Sequence, residues 1–213
     1  MPRPTFVRRL TLAAAALLLA AASLFACAPR AGGPLVGHTR AIPKQVGNLS
    51  MAEARTGLPD TTFSFRARPG GLLFVFFGFT HCPDLCPTTL GDLRRALRKA
   101  GPDGSRVEVA FVTVDPGRDS SETMARYLGS FFVGGHPLRP DTNEQLLAVQ
   151  AAFGAASSVT RKANGDFDVA HTAVSYLVDE RGAVVLEWDY GTTPADMAHD
   201  LRILLSRTPG GSR

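Results

Sequence analysis

Cys82 and Cys86 are the residues whose type and spacing most directly suggest chemistry in this chain of 213 residues. They lie where a short apolar run gives way to a helical pattern, so both sulfur atoms share one face if the first helical turn includes them. Such a pair can chelate one metal ion, or close a disulfide if the backbone relaxes slightly. Because helix N-terminal N–H groups stabilise a thiolate, we expect at least one of the two cysteines to be unusually acidic.

The residues alone leave three uses of this pair open. As metal ligands, two thiolates suit soft ions, above all Cu(I), whereas zinc would require four ligands and a spacing that the chain lacks. As a redox-active pair, one cysteine would attack a disulfide of another protein and the other would resolve the mixed disulfide. As a structural disulfide, Cys82 and Cys86 would close a loop too short to add much stability. A chemically active pair therefore explains their placement best.

The hydrophobic pattern surrounds this pair with alternating strands and helices. We expect strands at residues 62–67, 72–77, 107–114, 172–178 and 183–188, and helices at 83–99, 120–131, 142–153 and from 194 onward. N-caps of the last three helices are expected at Ser120 or Ser121, Thr142 and Thr193. The turn signal Asn164-Gly165 predicts a hairpin before the fourth of these strands. The thioredoxin-like order that results predicts an α/β sandwich, in which a central mixed sheet is flanked by helices.

The chain has five histidines, and the order of elements distinguishes His171. It directly precedes the strand at residues 172–178, and in a thioredoxin-like fold the loop entering this strand lies beside the redox cysteines. We therefore expect His171 to be the third ligand of a copper ion. His81 should point away from Cys82, because neighbouring side chains diverge at a strand end, and should tune the thiolates. His136 is expected to be a loop residue, and His38 and His199 are expected to be solvated side chains.

Residues 1–26 combine three arginines with an uncharged apolar run and predict a secretory signal peptide. The run ends in Leu24-Phe25-Ala26-Cys27, which resembles the lipobox of bacterial lipoproteins, where the cysteine is acylated and becomes the new N-terminus. We therefore expect lipidation at Cys27, a membrane tether at residues 27–42 and the folded domain at residues 43–213. An uncleaved signal anchor and an ordinary cleavage site beside a chance cysteine are the alternatives. Each of them places the domain outside the cytoplasmic membrane.

The composition is that of an ordinary globular protein, with 45% hydrophobic and 20% charged residues. It excludes a disordered chain, a collagen-like chain and a polytopic membrane protein, and the length suggests one domain. The formal net charge of +4 comes from 23 basic and 19 acidic residues, and three of the arginines belong to the signal segment. The rest of the chain is therefore close to neutral, so nothing in it indicates binding to nucleic acid.

Three sequence blocks resemble the Sco/SenC family of copper-binding, thioredoxin-like proteins. They are FGFTHCPDLCPTTL at residues 77–90, TVDPGRD at 113–119, and VAHT at 169–172 with YLVD at 176–179. The resemblance covers about residues 60–207, and the three blocks occur in the family's order. It implies a copper site for Cu(I), Cu(II) or both, formed by Cys82, Cys86 and His171.

The resemblance also implies a role in assembling the dinuclear copper centre (CuA) of cytochrome c oxidase subunit II, at the outer face of the cytoplasmic membrane. We interpret the protein as a copper metallochaperone rather than an enzyme, with another periplasmic copper chaperone or a thiol reductase as a further partner. The alternative is a thiol–disulfide oxidoreductase that reduces the CuA-site cysteines of the acceptor. A peroxidase-like or redox-signalling role would rest on the fold alone. Many members carry Asp directly before the histidine, where this chain has Ala170, so we expect it to differ in copper transfer more than in binding.

Overall fold

The strand that leads to the cysteines, β3 (Leu72–Gly78), is buried along its whole length. Its continuous apolar sequence and its aromatic content suit a strand covered on both faces, as predicted. The structure, a computed structural model, describes residues 33–55, 57–59 and 61–208. The predicted signal peptide and Cys27 lie outside these residues. No helix of the described residues is both long enough and apolar enough to span a membrane.

The other elements follow in an alternating order around β3. They are β1 (Ser50–Glu53), β2 (Thr61–Ser64), α1 (Leu85–Ala100), a 3₁₀ helix (Gly101–Arg106), β4 (Val107–Thr113), α2 (Ser121–Gly129), β5 (His136–Arg139), α3 (Asn143–Phe153), β6 (Ser157–Arg161), β7 (Phe167–His171), β8 (Ser175–Val178), β9 (Val184–Trp188) and α4 (Pro194–Arg207).

Seven of the described strands form one mixed sheet in the order β2-β1-β5-β4-β3-β8-β9. β3, β4 and β5 run parallel and are joined by crossover helices, whereas β8 and β9 form an antiparallel hairpin beside β3. Phe153 packs its ring against Phe77 and Tyr176 on one face of the sheet, while Phe74 meets Trp188 on the other. The indole N–H of Trp188 also donates to Asp200 of α4 at 2.9 Å, so helices cover both faces, which confirms the predicted thioredoxin-like α/β sandwich.

The last three helices, α2, α3 and α4, begin at the residues that the capping pattern indicates. The side chains of Ser120, Thr142 and Thr193 each accept a hydrogen bond from the backbone N–H three residues later. In the first turn of α3, the side-chain oxygen of Gln145 also accepts a hydrogen bond, from the backbone N–H of Asp141 at 2.8 Å. Each cap satisfies a donor in the first turn that has no partner within the helix, which is why these polar residues mark helix starts.

Two boundaries near the site differ from the sequence prediction. Helix α1 begins at Leu85 rather than at residue 83, so Cys82 precedes the helix and only Cys86 lies in its first turn. The strand expected at residues 172–178 begins at Ser175, and His171 instead ends β7.

The strand β5 was not predicted, because its four residues show no alternation and contain Pro137. The pairing of β5 with β4 and β1 outweighs these weak local signals.

The described part of the predicted tether lies against the domain. The backbone N–H groups of Val36 and Gly37 donate to the carboxylate of Asp200 at 2.8 and 2.9 Å. A side chain at Gly37 would lie 2.7 Å from the ring of Trp188, so this close approach requires glycine. His38 pairs with the backbone of Glu187 in an isolated bridge. From about residue 34 onward, the chain is therefore held by specific contacts with the domain.

Candidate metal centre

Cys82 and Cys86 lie at the carboxyl end of β3, where the chain turns into α1. Asp84 is the N-cap of α1, but its side chain makes no capping hydrogen bond. The sulfur of Cys82 instead accepts a hydrogen bond from the backbone N–H of Cys86 at 3.3 Å. The two cysteines therefore meet because the first sulfur lies over the helix N-terminus, and not because both belong to one helical turn.

Gly78 makes room for the buried sulfur of Cys86. A Cβ atom at this position would lie 2.8 Å from that sulfur and 2.7 Å from a ring carbon of Phe111. Both neighbours are buried in the core, so neither can move away freely. The absence of a side chain at the last residue of β3 is therefore part of how the site is built.

The two cysteines differ in their exposure. Both are free thiols; Cys82 is half-buried and Cys86 is fully buried. Burial is the largest influence on Cys86 and raises the pKa of its thiol well above the ordinary value. Cys86 is therefore not the acidic member that was expected of the pair, because loss of solvent outweighs the backbone hydrogen bond at Phe79, which lowers the pKa. A bound cation would supply the charge compensation that this thiolate lacks.

His171 faces the cysteines from the end of β7, and its Nε2 lies 3.8 Å from the sulfur of Cys86. Its Nδ1 lies 3.0 Å from the carbonyl oxygen of Thr172, so Nδ1–H donates to that oxygen and Nε2 keeps its lone pair. Burial lowers the pKa of the imidazole, which favours the neutral form. The rings of Phe76 and Phe79 meet the imidazole edge-on at 5.9 and 6.0 Å and fix its plane.

The structure thus brings the three predicted ligands together. The sulfur atoms of Cys82 and Cys86 and a ring nitrogen of His171 all lie within 4.8 Å of one another. Ligands bound to a common ion at about 2.0–2.3 Å can be at most about 4.6 Å apart, so sub-ångström movements would complete the coordination. Two sulfurs and one imidazole nitrogen are a soft donor set that fits copper.

Asp119 orders the loop in front of the cysteines and was not predicted as a functional residue. Its carboxylate is fully buried and accepts hydrogen bonds from the backbone N–H of Thr80 at 3.0 Å and from the hydroxyl of Thr113 at 2.6 Å. These bonds tie the cysteine loop to the end of β4. Its position two residues beyond Gly117, in a polar stretch directly after a buried strand, was the signal that could have indicated it.

The remaining histidines lie elsewhere, as far as the structure describes the chain. His81 points toward Asp119, with Nδ1 3.4 Å from its carboxylate, and so diverges from Cys82 as predicted. His136 is not the loop residue that was expected, because it begins β5 and contacts two glutamates. His38 and His199 hydrogen-bond at the surface to Asp189 and to a backbone carbonyl, respectively.

A thioredoxin-like fold with two cysteines after its central strand, and a histidine facing them, defines a class of thioredoxin-fold proteins with a metal-binding or redox centre. Within this class, the profile of the SCO1/SenC family matches residues 59–206. The chain therefore belongs to the SCO1/SenC family.

Relatives in sequence and structure agree with this assignment. The mitochondrial SCO2 homolog of Mus musculus is 34% identical over 138 residues, which cover 64% of this chain and 52% of the mouse protein. The chain thus spans about half the length of that relative. The copper-bound structure of ScoI from Bradyrhizobium japonicum has 32% identity and a TM-score of 0.60, covering 72% of this chain and 96% of that one. Apo Sco1 from Thermus thermophilus has 32% identity and a TM-score of 0.66, with 80% and 97% covered.

Proposed function

We propose that this protein is a copper metallochaperone that binds one copper ion through Cys82, Cys86 and His171. The observation that carries the proposal is the convergence of these three donors within 4.8 Å at the end of β3. The solved ScoI of Bradyrhizobium japonicum, described as copper-bound, supports it. The acceptor we propose is the CuA centre of cytochrome c oxidase subunit II, because members of this family take part in assembling that enzyme.

The donor set suits a bound copper ion that must be released again. Two thiolates favour Cu(I), and the imidazole of His171 extends the site to Cu(II). With only three protein ligands, a ligand from the acceptor can add to the ion before any of the three is released. The ion can therefore pass by ligand exchange without ever being free in solution.

The alternative function is reduction of the acceptor's cysteines before copper arrives. The half-buried Cys82 would attack the acceptor disulfide, and Cys86 would then attack Cys82. The acceptor leaves with two thiols, and this protein keeps a Cys82–Cys86 disulfide that a thiol reductase must reduce. One half-buried and one fully buried cysteine suit these two roles. The exchange does not require the imidazole held 3.8 Å from Cys86, whereas a three-ligand copper site does, which favours the chaperone.

Metal analysis of the reduced protein, with copper added, tests the chaperone function. We expect one copper per chain, and none after oxidation to the Cys82–Cys86 disulfide, because a disulfide offers no thiolate. His171→Ala should weaken copper binding by at least the roughly tenfold that loss of an outer-shell partner costs, while thiol–disulfide exchange survives. His199→Ala is the matched control, since His199 lies at the surface away from the cysteines.

The outcomes separate the two functions. A respiratory assay in cells should show an assembly defect for His171→Ala if copper delivery is the function. If Cys82→Ser or Cys86→Ser abolishes oxidase assembly while His171→Ala leaves it normal, the protein is a reductase. Undiminished copper in the oxidised protein would contradict the proposed ligand set.

We further propose that residues 1–26 are removed and that acylated Cys27 holds the domain at the outer face of the cytoplasmic membrane. The support is the Leu24-Phe25-Ala26-Cys27 sequence after a basic and apolar leader. An acceptor embedded in the same membrane would then be met by diffusion in two dimensions. Such confinement raises the effective concentration of the two partners without any new contact.

A further inference from the structure

The hairpin that carries His171 is attached to the domain by its side chains. Among the described strands, β6 and β7 form a separate two-stranded sheet and do not join the central one. Four of the five residues of β6 and three of the five of β7 are exposed. An isolated two-stranded hairpin is marginally stable at best. The contacts between this hairpin and the domain therefore decide where His171 lies.

Phe167 and His171 lie on the same face of β7, which is turned toward the domain, and Phe167 is still 40% exposed. Side chains alternate along a strand, so residues four positions apart point the same way, about 13 Å from each other. Val169, between them, lies on this face and packs against the core. Asp168 and Ala170 are exposed on the opposite face. A contact made by Phe167 therefore holds the same face of β7 that carries the imidazole of His171.

Arg118 links this face of the hairpin to the cysteine loop. Its guanidinium carbon lies 4.3 Å from the ring centroid of Phe167 and 6.0 Å from that of Phe79. The ring of Phe79 in turn meets the imidazole of His171 at 6.0 Å. A guanidinium between two aromatic faces is attracted to both by their ring quadrupoles. Arg118 thus contacts both the hairpin and the cysteine loop, the two segments that enclose the site.

Asp115 holds Arg118 in this position. Asp115 is 4% exposed, and its carboxylate forms an ion pair with the guanidinium. The backbone N–H of Asp115 donates to the hydroxyl of Thr113 at the end of β4, at 3.0 Å. The planar guanidinium is therefore fixed to the central sheet while its faces remain free to stack.

We propose that Arg118 is a positioning residue for His171, and that it forms with Phe79 and Phe167 a clamp that sets how readily the imidazole leaves the copper site. This inference rests on the proposed function, because it concerns copper release. With the clamp closed, His171 completes the three-ligand site. When the ring of Phe167 moves away from Arg118, β7 moves with it and the imidazole of His171 leaves the ion. The ion is then held by two thiolates alone and can accept a ligand of the acceptor.

Copper release from the loaded protein to the Cu(I) chelator bathocuproine disulfonate tests the clamp. Phe167→Leu keeps apolar bulk but removes the ring, and it should accelerate release roughly twofold to thirtyfold, the range that corresponds to a lost cation–π contact. Phe167→Trp keeps an aromatic face and should stay within about twofold of the wild type.

Lys162→Gln, which alters an exposed ion pair on the same hairpin, is the matched control. Arg118→Lys keeps the charge but not the planar stack, and should lie between Phe167→Leu and the wild type.

A double-mutant comparison distinguishes positioning from general destabilisation. In the His171→Ala background, Phe167→Leu should no longer change the release rate, because the clamp acts through the imidazole. Equal acceleration with and without His171, or none from Phe167→Leu, would overturn the clamp. If His171→Ala by itself leaves release unchanged, the proposed copper site fails instead. The clamp is then tested in the copper-free protein, where Phe167→Leu should increase hydrogen exchange in residues 157–171 and Lys162→Gln should not.

Discussion

Burial acts on His171 and Cys86 in the same physical sense, although the two pKa values move in opposite directions. Loss of solvent disfavours the charged form of each group, so it lowers the pKa of the imidazole and raises that of the Cys86 thiol. Without metal, this environment therefore favours two neutral side chains. A bound cation changes the balance, since it stabilises the thiolate and needs the imidazole uncharged.

At the residue scale, Gly78→Ala should destabilise the protein by about 1–3 kcal/mol, because the added methyl group overpacks a closed core. The new Cβ would meet the sulfur of Cys86 and the ring of Phe111, at 2.8 and 2.7 Å. Displacing that sulfur should also weaken copper binding. Urea denaturation measures the first effect and competition with a copper chelator measures the second.

Gly91→Ala is the matched control for this substitution. Gly91 lies in α1, and a Cβ built there meets nothing within 4 Å. Alanine should therefore stabilise the helix by about 0.5–1 kcal/mol and leave copper binding unchanged. If Gly78→Ala proves as stable as the wild type with copper binding intact, the tight packing at the end of β3 has no part in building the site.

At the scale of elements, His136 joins three strands of the sheet. Its Nδ1 lies 2.7 Å from Glu53 on β1, and its Nε2 lies 3.5 Å from Glu108 on β4. Arg68 pairs with Glu108 at 3.0 Å from outside the strands, and the ring of Phe63 on β2 stacks against the imidazole at 4.6 Å. The edge hairpin β1–β2 is therefore attached to the sheet partly through one ionisable side chain.

The stability of this attachment should depend on pH. Burial alone would lower the pKa of His136, but the hydrogen bonds to Glu108 and Glu53 outweigh it, so the folded-state pKa lies above the ordinary value of 6.5. The contribution of His136 is then complete below pH 6.5 and is lost as the pH rises through the folded-state pKa. The free energy of unfolding of His136→Gln should fall furthest below that of the wild type in mildly acidic solution, and the gap should narrow at higher pH.

Urea denaturation at a series of pH values between about 6 and 9 checks this expectation. His38→Gln is the control, because His38 pairs at the surface with Asp189. A gap between wild type and His136→Gln that stays constant over this range would mean that the imidazole acts only through packing.

At the scale of the whole molecule, the site joins distant parts of the chain. Cys86 and His171 are 85 positions apart in sequence. They meet because the hairpin before β8 lies beside the carboxyl end of β3, with which β8 pairs. All three proposed ligands lie within residues 33–208, whereas the proposed anchor at Cys27 precedes them. Anchoring and copper binding should therefore be separable.

Cys27→Ser should leave copper binding intact and release the protein from the membrane or slow its processing, because serine offers no thiol for acylation. Fractionation of cells and mass spectrometry of the mature N-terminus are the measurements. An unmodified N-terminus at or beyond Ala28 would indicate simple secretion, and an intact Met1 or Pro2 would indicate a signal anchor. Ser206→Ala, on an exposed position of α4, serves as a control for fractionation.

The sequence by itself determined the features that depend on near neighbours along the chain. The apolar run of β3, the N-caps at Ser120, Thr142 and Thr193, and the Asn164-Gly165 turn each express a local preference of backbone or side chain, so all of them could be predicted. The order of these elements was sufficient to predict the thioredoxin-like fold and to indicate His171, rather than the adjacent His81, as the histidine that faces the cysteines.

Only the tertiary structure decided what depends on residues brought from far away. The raised pKa of Cys86 follows from burial by the surrounding core, and β5 follows from pairing on both of its sides rather than from its own sequence. The bonds from Asp119 to the cysteine loop, and the position of Arg118 between Phe79 and Phe167, likewise join separate segments. Burial and pairing are properties of the assembled fold, so no local pattern in the chain specifies them.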